Sequence, residues 1–305
     1  LYSEDKKIFS LELPPACGYN YCNDHYSGKS LFAASIQGKA PRRDKMNTQM
    51  EMRRILRING EQQEVLEDPV VREVPLTIYL NGQEFVTLLY TPELPEMLAV
   101  GFLRSEGLIR AFDDITSLRY DEEQSFIFVE TQGSKLPEKL YGKRTITSGC
   151  GKGTVFYSVL DALKSNPVES DFTLSVQQVL QLMKELQLRA ELFRLTGGLH
   201  SAALCSAEKI LYFCEDIGRH NAVDKLVGLC LKHEISLTDK VLVSSGRISS
   251  EILVKAAKLG IPILISRAAP TSLSIELAES LGITLIGFVR GRRCNIYTHQ
   301  ERVLV

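Results

Sequence analysis

The sequence predicts a two-part α/β protein, and three observations carry that prediction. From about residue 175 onward, short apolar runs alternate with stretches of helical length, the rhythm of βαβ units. Between residues 53 and 131 the chain is richer in strand-forming runs, two of them joined by Asn81-Gly82. Between the halves, residues 132–150 carry Gly133, Pro137 and Gly142, breakers that suit a boundary. The length of 305 residues fits one large domain or two of moderate size. With 44% hydrophobic and 24% charged residues the composition is ordinary for a globular chain. A core of that size needs no disulfide or structural metal.

The elements follow in order. Residues 1–48 show no helix or strand period and hold Pro14, Pro15, Gly18, Gly28, Gly38 and Pro41. They are expected to be a disordered tail, or to precede a start at Met46, Met50 or Met52. Arg53 to Ile58 reads as a short strand. Glu73–Leu80 and Glu84–Tyr90 are β-rich, and the Asn-Gly pair between them tolerates the positive φ of a type I′ hairpin. Thr91-Pro92 opens a helix to about Glu106, with Leu94, Met97, Leu98, Gly101 and Phe102 on one face. Ile115–Tyr120 and Ser125–Thr131 read as strands. In the second half Ser175–Leu188 is an amphipathic helix, Ile210–Cys214 a buried-type strand and Gly218–His233 a long helix. Val241–Ser244, Ile261–Ile265 and Thr284–Phe288 are short apolar strands, with helices at Ser249–Leu259 and Thr271–Leu281 between them. Such a sheet is covered on both faces. The expected units are a strand-rich one over 49–145 and an α/β one over 146–305.

Composition also excludes. A net charge of −1 argues against a dedicated nucleic-acid binder. No apolar run approaches the roughly 18 residues of a membrane span. Leu1 to Asn20 has no apolar core of a secretory signal. Seven cysteines, at 17, 22, 150, 205, 214, 230 and 294, are not a disulfide framework, so a reducing cytoplasm is expected. Cys17 and Cys22 have no second pair at ligand spacing, and no metal site is expected.

Five stretches could carry chemistry. Thr147-Ser148-Gly149-Cys150-Gly151-Lys152-Gly153-Thr154 lies at the junction of the halves. Glycines leave the Cys150 sulfur unshielded, and Lys152 with nearby N–H groups favours a thiolate. A plain glycine-rich loop remains the alternative; the spacing is not that of a P-loop. Thr196-Gly197-Gly198-Leu199-His200-Ser201 suggests close backbone approach at what reads as a helix start, or else a structural histidine. Glu215 to Asn221 crowds Asp216, Arg219 and His220 between a strand and a helix, where α/β sheets bind ligands; Asp216 as a plain N-cap is the alternative. Ser244-Ser245-Gly246-Arg247 follows a strand and opens a helix, an arrangement that receives anions. Phe288-Val289-Arg290-Gly291-Arg292-Arg293 also follows a strand, and its guanidinium groups match phosphate oxygens. Three such strand ends point to one shared anionic ligand, a nucleotide or phosphorylated cofactor.

Taken together, these stretches resemble the formate dehydrogenase accessory sulfurtransferase family, FdhD. The resemblance runs in order through Glu73–Ile78, Gly101–Ile109, Thr147–Gly151, Thr196–His200, Glu215–Lys225, Ser244–Arg247 and Phe288–Gly291, and covers about residues 53–304. It implies a cytidine-deaminase-like three-layer α/β/α domain with a smaller strand-rich α+β domain, in a homodimer. It implies a sulfur relay: a cysteine desulfurase loads a persulfide on Cys150, and the sulfur passes to the molybdenum or tungsten of a bis-molybdopterin guanine dinucleotide. That cofactor, a bound substrate here, then enters formate dehydrogenase. The arginine-lined strand ends suit its two pyrophosphates. Cofactor-binding residues so implied are His200, Asp216, Arg219, His220, Ser245, Gly246, Arg247 and Phe288, Val289, Arg290, Gly291, Arg292 and Arg293.

One departure matters. Several members carry C-x-x-C in the Cys150 loop; here the second position is Gly153. A two-cysteine mechanism within that loop cannot operate. The competing reading is a cofactor-binding chaperone without cysteine-based transfer; a third is a nucleotide-dependent enzyme unrelated to molybdenum. Zinc-dependent deamination is excluded, since the second residue after His200 is Ala202 and no C-x-x-C exists.

Overall fold

The structure, a computed structural model, describes residues 48–132, 145–146 and 167–305. Cys17, Cys22, the boundary breakers and the Thr147–Thr154 stretch with Cys150 lie outside the described residues. All described residues belong to one compact unit.

The described residues begin with a hairpin that forms a two-stranded sheet of its own, β1 (Met50–Asn59) and β2 (Gln62–Val71), turned at Gly60 with φ of 63°. The sequence-based strand Arg53–Ile58 is thus only part of a longer element. A five-stranded sheet follows, formed by β3 (Val74–Leu80), β4 (Gln83–Tyr90), β5 (Ile115–Asp121), β6 (Phe126–Thr131) and β7 (Thr145–Ile146) in the order β5-β6-β3-β4-β7. Asn81 and Gly82 turn β3 into β4 with φ of 50° and 77°, the positive pair a type I′ turn demands. Helix α1 (Pro95–Ser105) starts three residues later than Pro92: Leu94 takes a left-handed conformation and Pro95 occupies the first turn, where a missing N–H costs nothing. Its Leu98, Val100 and Leu103 bury against Leu76, Ile78 and Ile127.

The second half opens with β8 (Leu174–Ser175), which caps α2 (Val176–Arg189) through a reciprocal Ser175–Gln178 box. Short α3 (Glu191–Thr196) ends at Gly197, whose φ of 69° is the left-handed helix stop. The glycine pair before His200 therefore closes a helix and does not open one. Then come β9 (His200–Cys205), β10 (Ile210–Asp216), α4 (Arg219–Lys232), β11 (Val241–Ser244), α5 (Ser250–Lys258), β12 (Ile263–Ser266), α6 (Ser272–Ser280), β13 (Thr284–Arg290) and β14 (Arg293–Ile296); β15 (Val303–Leu304) pairs with β8. Six of these strands form a sheet in the order β10-β9-β11-β12-β13-β14, with β9 and β14 antiparallel to their neighbours. Period-two alternation feeds two cores. Ala202, Leu204, Leu242, Leu264 and Leu285 face α4, α5 and α6. Ala203, Val243, Ile265 and Ile286 face Leu182 and Leu186 of α2. The result is a mixed α/β architecture with helices on both faces of this sheet. Among the described residues no helix is long and apolar enough to cross a membrane.

Helices α1 and α4 join the two sheets, and two glycines set their spacing. A Cβ on Gly101 would lie 1.7 Å from the Asp224 backbone oxygen, and one on Gly228 would lie 2.1 Å from that of Met97. Only glycine permits this approach. Gly228→Ala is therefore expected to lower the thermal midpoint by about 6–12 °C, the consequence of roughly 3 kcal/mol of overpacking. Thermal unfolding followed by circular dichroism checks this; an unchanged midpoint would mean the helices do not meet so closely.

Candidate functional site

The carboxyl edge of the six-stranded sheet gathers most of the residues singled out above. Strands β10, β11 and β12 end there at Asp216, Ser244 and Ser266, and antiparallel β9 begins there, with His200 directly beside Asp216. Helices α4 and α5 leave from the same edge. One strand-to-helix turn thus supplies Arg219 and His220, the next Ser245, Gly246 and Arg247, and the next Arg267.

Gly246 is the hub. A Cβ there would sit 3.1 Å from Arg219 Cβ and 3.4 Å from His200 Nδ1, so the absence of a side chain lets Arg219 and His200 close on one spot. The loop is pinned on every side. Ser245 N–H donates to Ser201 O and Ser245 Oγ accepts from Ser201 N–H, both at 2.9 Å. Ser266 Oγ donates to Gly246 O at 2.6 Å. Arg219 Nε is buried with no hydrogen-bond partner among the described residues. Burial, and then the charge of Arg247, hold the Arg219 guanidinium below its ordinary pKa. Burial, followed by the charges of Arg219 and His220, likewise lowers that of His200. A buried orphan donor beside an imidazole whose charged form is disfavoured, with exposed Arg247 and Arg267 at the rim, is a site where cationic groups outnumber the nearby carboxylate of Glu251. The residues therefore fit a phosphate-bearing ligand.

Beside them opens a cavity of about 520 Å3, within the range of small-molecule sites. His200, Ser201, Ser245 and Arg267 form its polar wall; Phe193 and Leu199 are among its apolar lining. Glu215 fixes the α3 wall. Its carboxylate accepts from the N–H groups of Leu192 (3.3 Å) and Phe193 (3.1 Å), capping a helix that has no side-chain cap of its own. Burial raises the Glu215 pKa, and those hydrogen bonds oppose the rise.

Asp216 departs from the sequence-based expectation. Its carboxylate is fully buried and engaged by Thr91 N–H (3.2 Å), Gly218 N–H (2.9 Å), Asn221 Nδ2 (2.9 Å) and Lys225 Nζ (2.7 Å). No lone pair is left for a ligand, so Asp216 is scaffold. Val289 departs too, since its side chain lies in the core with α2. Around it, Phe288 has a φ of 51°, and Arg290, Gly291, Arg292 and Arg293 form an exposed turn. Arg290 Nε donates to Arg267 O at 3.2 Å, which sets that turn beside the cavity rim. His220, on the first turn of α4, places Nε2 2.7 Å from Glu251 Oε2. Burial raises the Glu251 pKa, but the His220 bond and the charges of His220, Lys255 and Arg219 together leave the carboxyl below its ordinary value.

Sequence reasoning did not single out Arg267 or Thr91, and it named Glu215 and Lys225 only as members of the 215–225 stretch, without the roles they take here. Arg267 follows a strand end, and the rule that found the other three loops would have found it. Thr91 and Lys225 meet across 134 residues, and no local pattern announces that.

Cys150 lies outside the described residues, but β7 bears on it. Strand β7 runs parallel to β4, with Ile146 beside Leu88. The next β4 residue, Leu89, accepts from Asn221 Nδ2 at 2.9 Å, and Thr91 holds Asp216. The strand leading to Cys150 thus ends within a few residues of the β10–α4 turn.

A family model described as the FdhD/NarQ family matches residues 71–304. The chain is 50% identical over 239 residues to "Sulfur carrier protein FdhD" of Bacillus subtilis strain 168, covering 78% of this chain and 91% of the relative. It is 46% identical over 260 residues to the protein of the same name from Bacillus pumilus, covering 85% and 99%. The crystal structure of a Desulfotalea psychrophila protein assigned as a formate dehydrogenase accessory protein superimposes with a TM-score of 0.70 at 26% identity, over 84% of this chain and all of that one.

Because an anion between Arg219 and His200 favours the imidazolium, binding takes up a proton. Sulfate, which does not titrate here, is expected to bind roughly 3- to 10-fold more tightly near pH 5.5 than near pH 7.5. His200→Gln should flatten that dependence, and Arg219→Met should abolish binding. Titration calorimetry in two buffers reads both; pH-independent binding in the native chain would refute the assignment.

Proposed function

This chain belongs to the FdhD/NarQ family, and we propose that it is a cytoplasmic sulfur carrier serving formate dehydrogenase. Cys150 receives sulfur from a cysteine desulfurase as a persulfide, and the anion-binding edge holds the phosphate-bearing bis-molybdopterin guanine dinucleotide that accepts it. The deaminase-like fold implied by the resemblance belongs to the same reading; helices on both faces of the six-stranded sheet support it.

The observation that carries the reading is the position of β7. Cys150 is the fourth residue after Ile146, and four residues of chain reach at most roughly 14 Å. Strand β7 is hydrogen-bonded to β4, and the end of β4 is tied by Asn221 and Asp216 to the turn that presents Arg219 and His220. The end of β7 and the ligand edge share one corner of the molecule.

Loading balances without an external oxidant. The Cys150 thiolate attacks the terminal sulfur of the desulfurase persulfide. One S–S bond forms as another breaks, and the electron pair leaves on the desulfurase thiolate, which takes the proton Cys150 gave up. Residues 149 and 151 are glycines, with no side chains to shield that sulfur. The four residues at the hub have separate tasks. Arg219 and Arg247 neutralise phosphate charge, His200 takes up a proton as the anion binds and donates to it, and Gly246 keeps the space between them open.

The test is intact-protein mass after incubation with a cysteine desulfurase and cysteine, without reductant. The native chain should gain one sulfur atom and Cys150→Ala none, and the variant should not restore formate dehydrogenase activity in cells lacking the native protein. Equal gain by both proteins would refute Cys150 as the carrier. Restoration by Cys150→Ala would favour a chaperone that hands over the cofactor without cysteine chemistry.

A further inference from the structure

The five-stranded sheet has two faces with different characters. Successive residues of a strand point to opposite sides, so the register sorts the side chains. Leu76, Ile78, Leu80, Ile127 and Val129 lie on the side that packs with α1. The other side carries two rows that run across the strands, Arg119–Phe128–Tyr79–Glu84 and Asp121–Phe126–Thr77–Thr87. None of the residues in these rows is buried. The centre of this face is aromatic. The rings of Tyr79 and Phe128 stack at 5.0 Å between centres with their planes 22° apart, and Phe126 tilts against Tyr79 at 5.3 Å. The Arg119 guanidinium lies over Phe128, 4.2 Å from the ring centre. A contiguous aromatic patch left open on a sheet marks a surface that meets a partner.

The charge around the rings selects the occupant. Glu84, Asp121 and Glu130 stand on this face, and the β5–β6 turn adds exposed Glu122 and Glu123. In these rows and that turn Arg119 is the one cation, and it is already seated on Phe128. Neither Glu84 nor Glu130 has an ion-pair partner among the described residues. Excess negative charge repels nucleic acid, anionic lipid and a second copy of the same face, and it attracts a basic segment. The rings then choose between cations. A planar guanidinium stacks on an aromatic face, whereas an ammonium is a compact, strongly hydrated point charge. Arg119 on Phe128 is the chain's own example of that contact. Glu84 ends the row beyond Tyr79, so a further guanidinium over Tyr79 continues the stack and meets a counter-charge. We propose that this face docks an arginine-bearing segment of a partner protein, whose guanidinium groups stack on Tyr79 and Phe126 and pair with Glu84 and Asp121. This docking does not rest on the sulfur-carrier reading.

Fluorescence anisotropy of a labelled octa-arginine peptide, titrated with the full chain at physiological salt, tests it. Octa-lysine of the same charge is run beside it. Octa-arginine should bind at least about tenfold more tightly than octa-lysine. Glu84→Lys should weaken octa-arginine binding at least about tenfold, and the nearly isosteric Glu84→Gln about threefold. Tyr79→Thr, which keeps a strand-forming residue, should remove the preference for arginine over lysine. Equal affinity for the two peptides in the native chain would overturn the proposal, as would octa-arginine binding undiminished in both Glu84 variants. So would an octa-glutamate peptide or a single-stranded oligonucleotide whose binding Tyr79→Thr abolishes, since the face would then belong to another occupant.

Discussion

The buried ion pair of Lys225 with Asp216 is the interaction on which the rest depends. Both side chains are fully excluded from water, and two charges in that position are tolerable only when every donor and acceptor is used. Lys225 meets this by donating also to Thr91 O and Glu215 O, at 3.1 and 3.2 Å, with Tyr90 packed against it. The partners come from both sheets: Thr91 directly follows β4, Glu215 and Asp216 end β10, and Lys225 lies on α4. Removing one charge would strand the other at a cost of roughly 3–5 kcal/mol. The pair therefore fixes the register of the two sheets, much as Gly101 and Gly228 fix the spacing of the helices joining them. It also fixes where β7 ends relative to the anion-binding edge.

That edge has the character of a pre-formed receptor for negative charge. Its hydrogen bonds satisfy the Gly246 loop and the α3 terminus, while Arg219 keeps a buried donor unspent. Fully satisfied scaffolding around an unsatisfied centre is how a protein holds donors ready without letting them collapse onto one another. Burial, and after it the charge of Arg219, disfavour the charged form of His200 there. An incoming anion offsets the second of these, so charge at the site follows the ligand.

Much of this was legible in the sequence where structure is local. The Asn81-Gly82 hairpin, the Ser175 helix start and the alternating strands of the second half follow from turn chemistry and periodicity. Three of the strand-end loops were found because strand ends are where an α/β sheet offers its N–H groups. What was missed is non-local or has two local solutions. The glycine pair before His200 suits a helix start or a helix stop, and only the position of α3 decides. Asp216 reads as a ligand by composition, yet Thr91, 125 residues away, claims its carboxylate. Strand β2 was passed over although Asn59-Gly60 repeats the turn signal at Asn81-Gly82, because its charged residues blur the alternation.

The account stands or falls on whether the Cys150 thiol and the anion-binding edge share one crevice. The most direct measurement is the alkylation rate of Cys150 by iodoacetamide, read by peptide mass spectrometry with and without saturating GDP as the phosphate-bearing probe. The account predicts that GDP slows alkylation of Cys150 at least about tenfold and that Arg219→Met abolishes the protection. GDP bound by the native chain with the Cys150 rate unchanged would place the thiol and the ligand apart, and would contradict it.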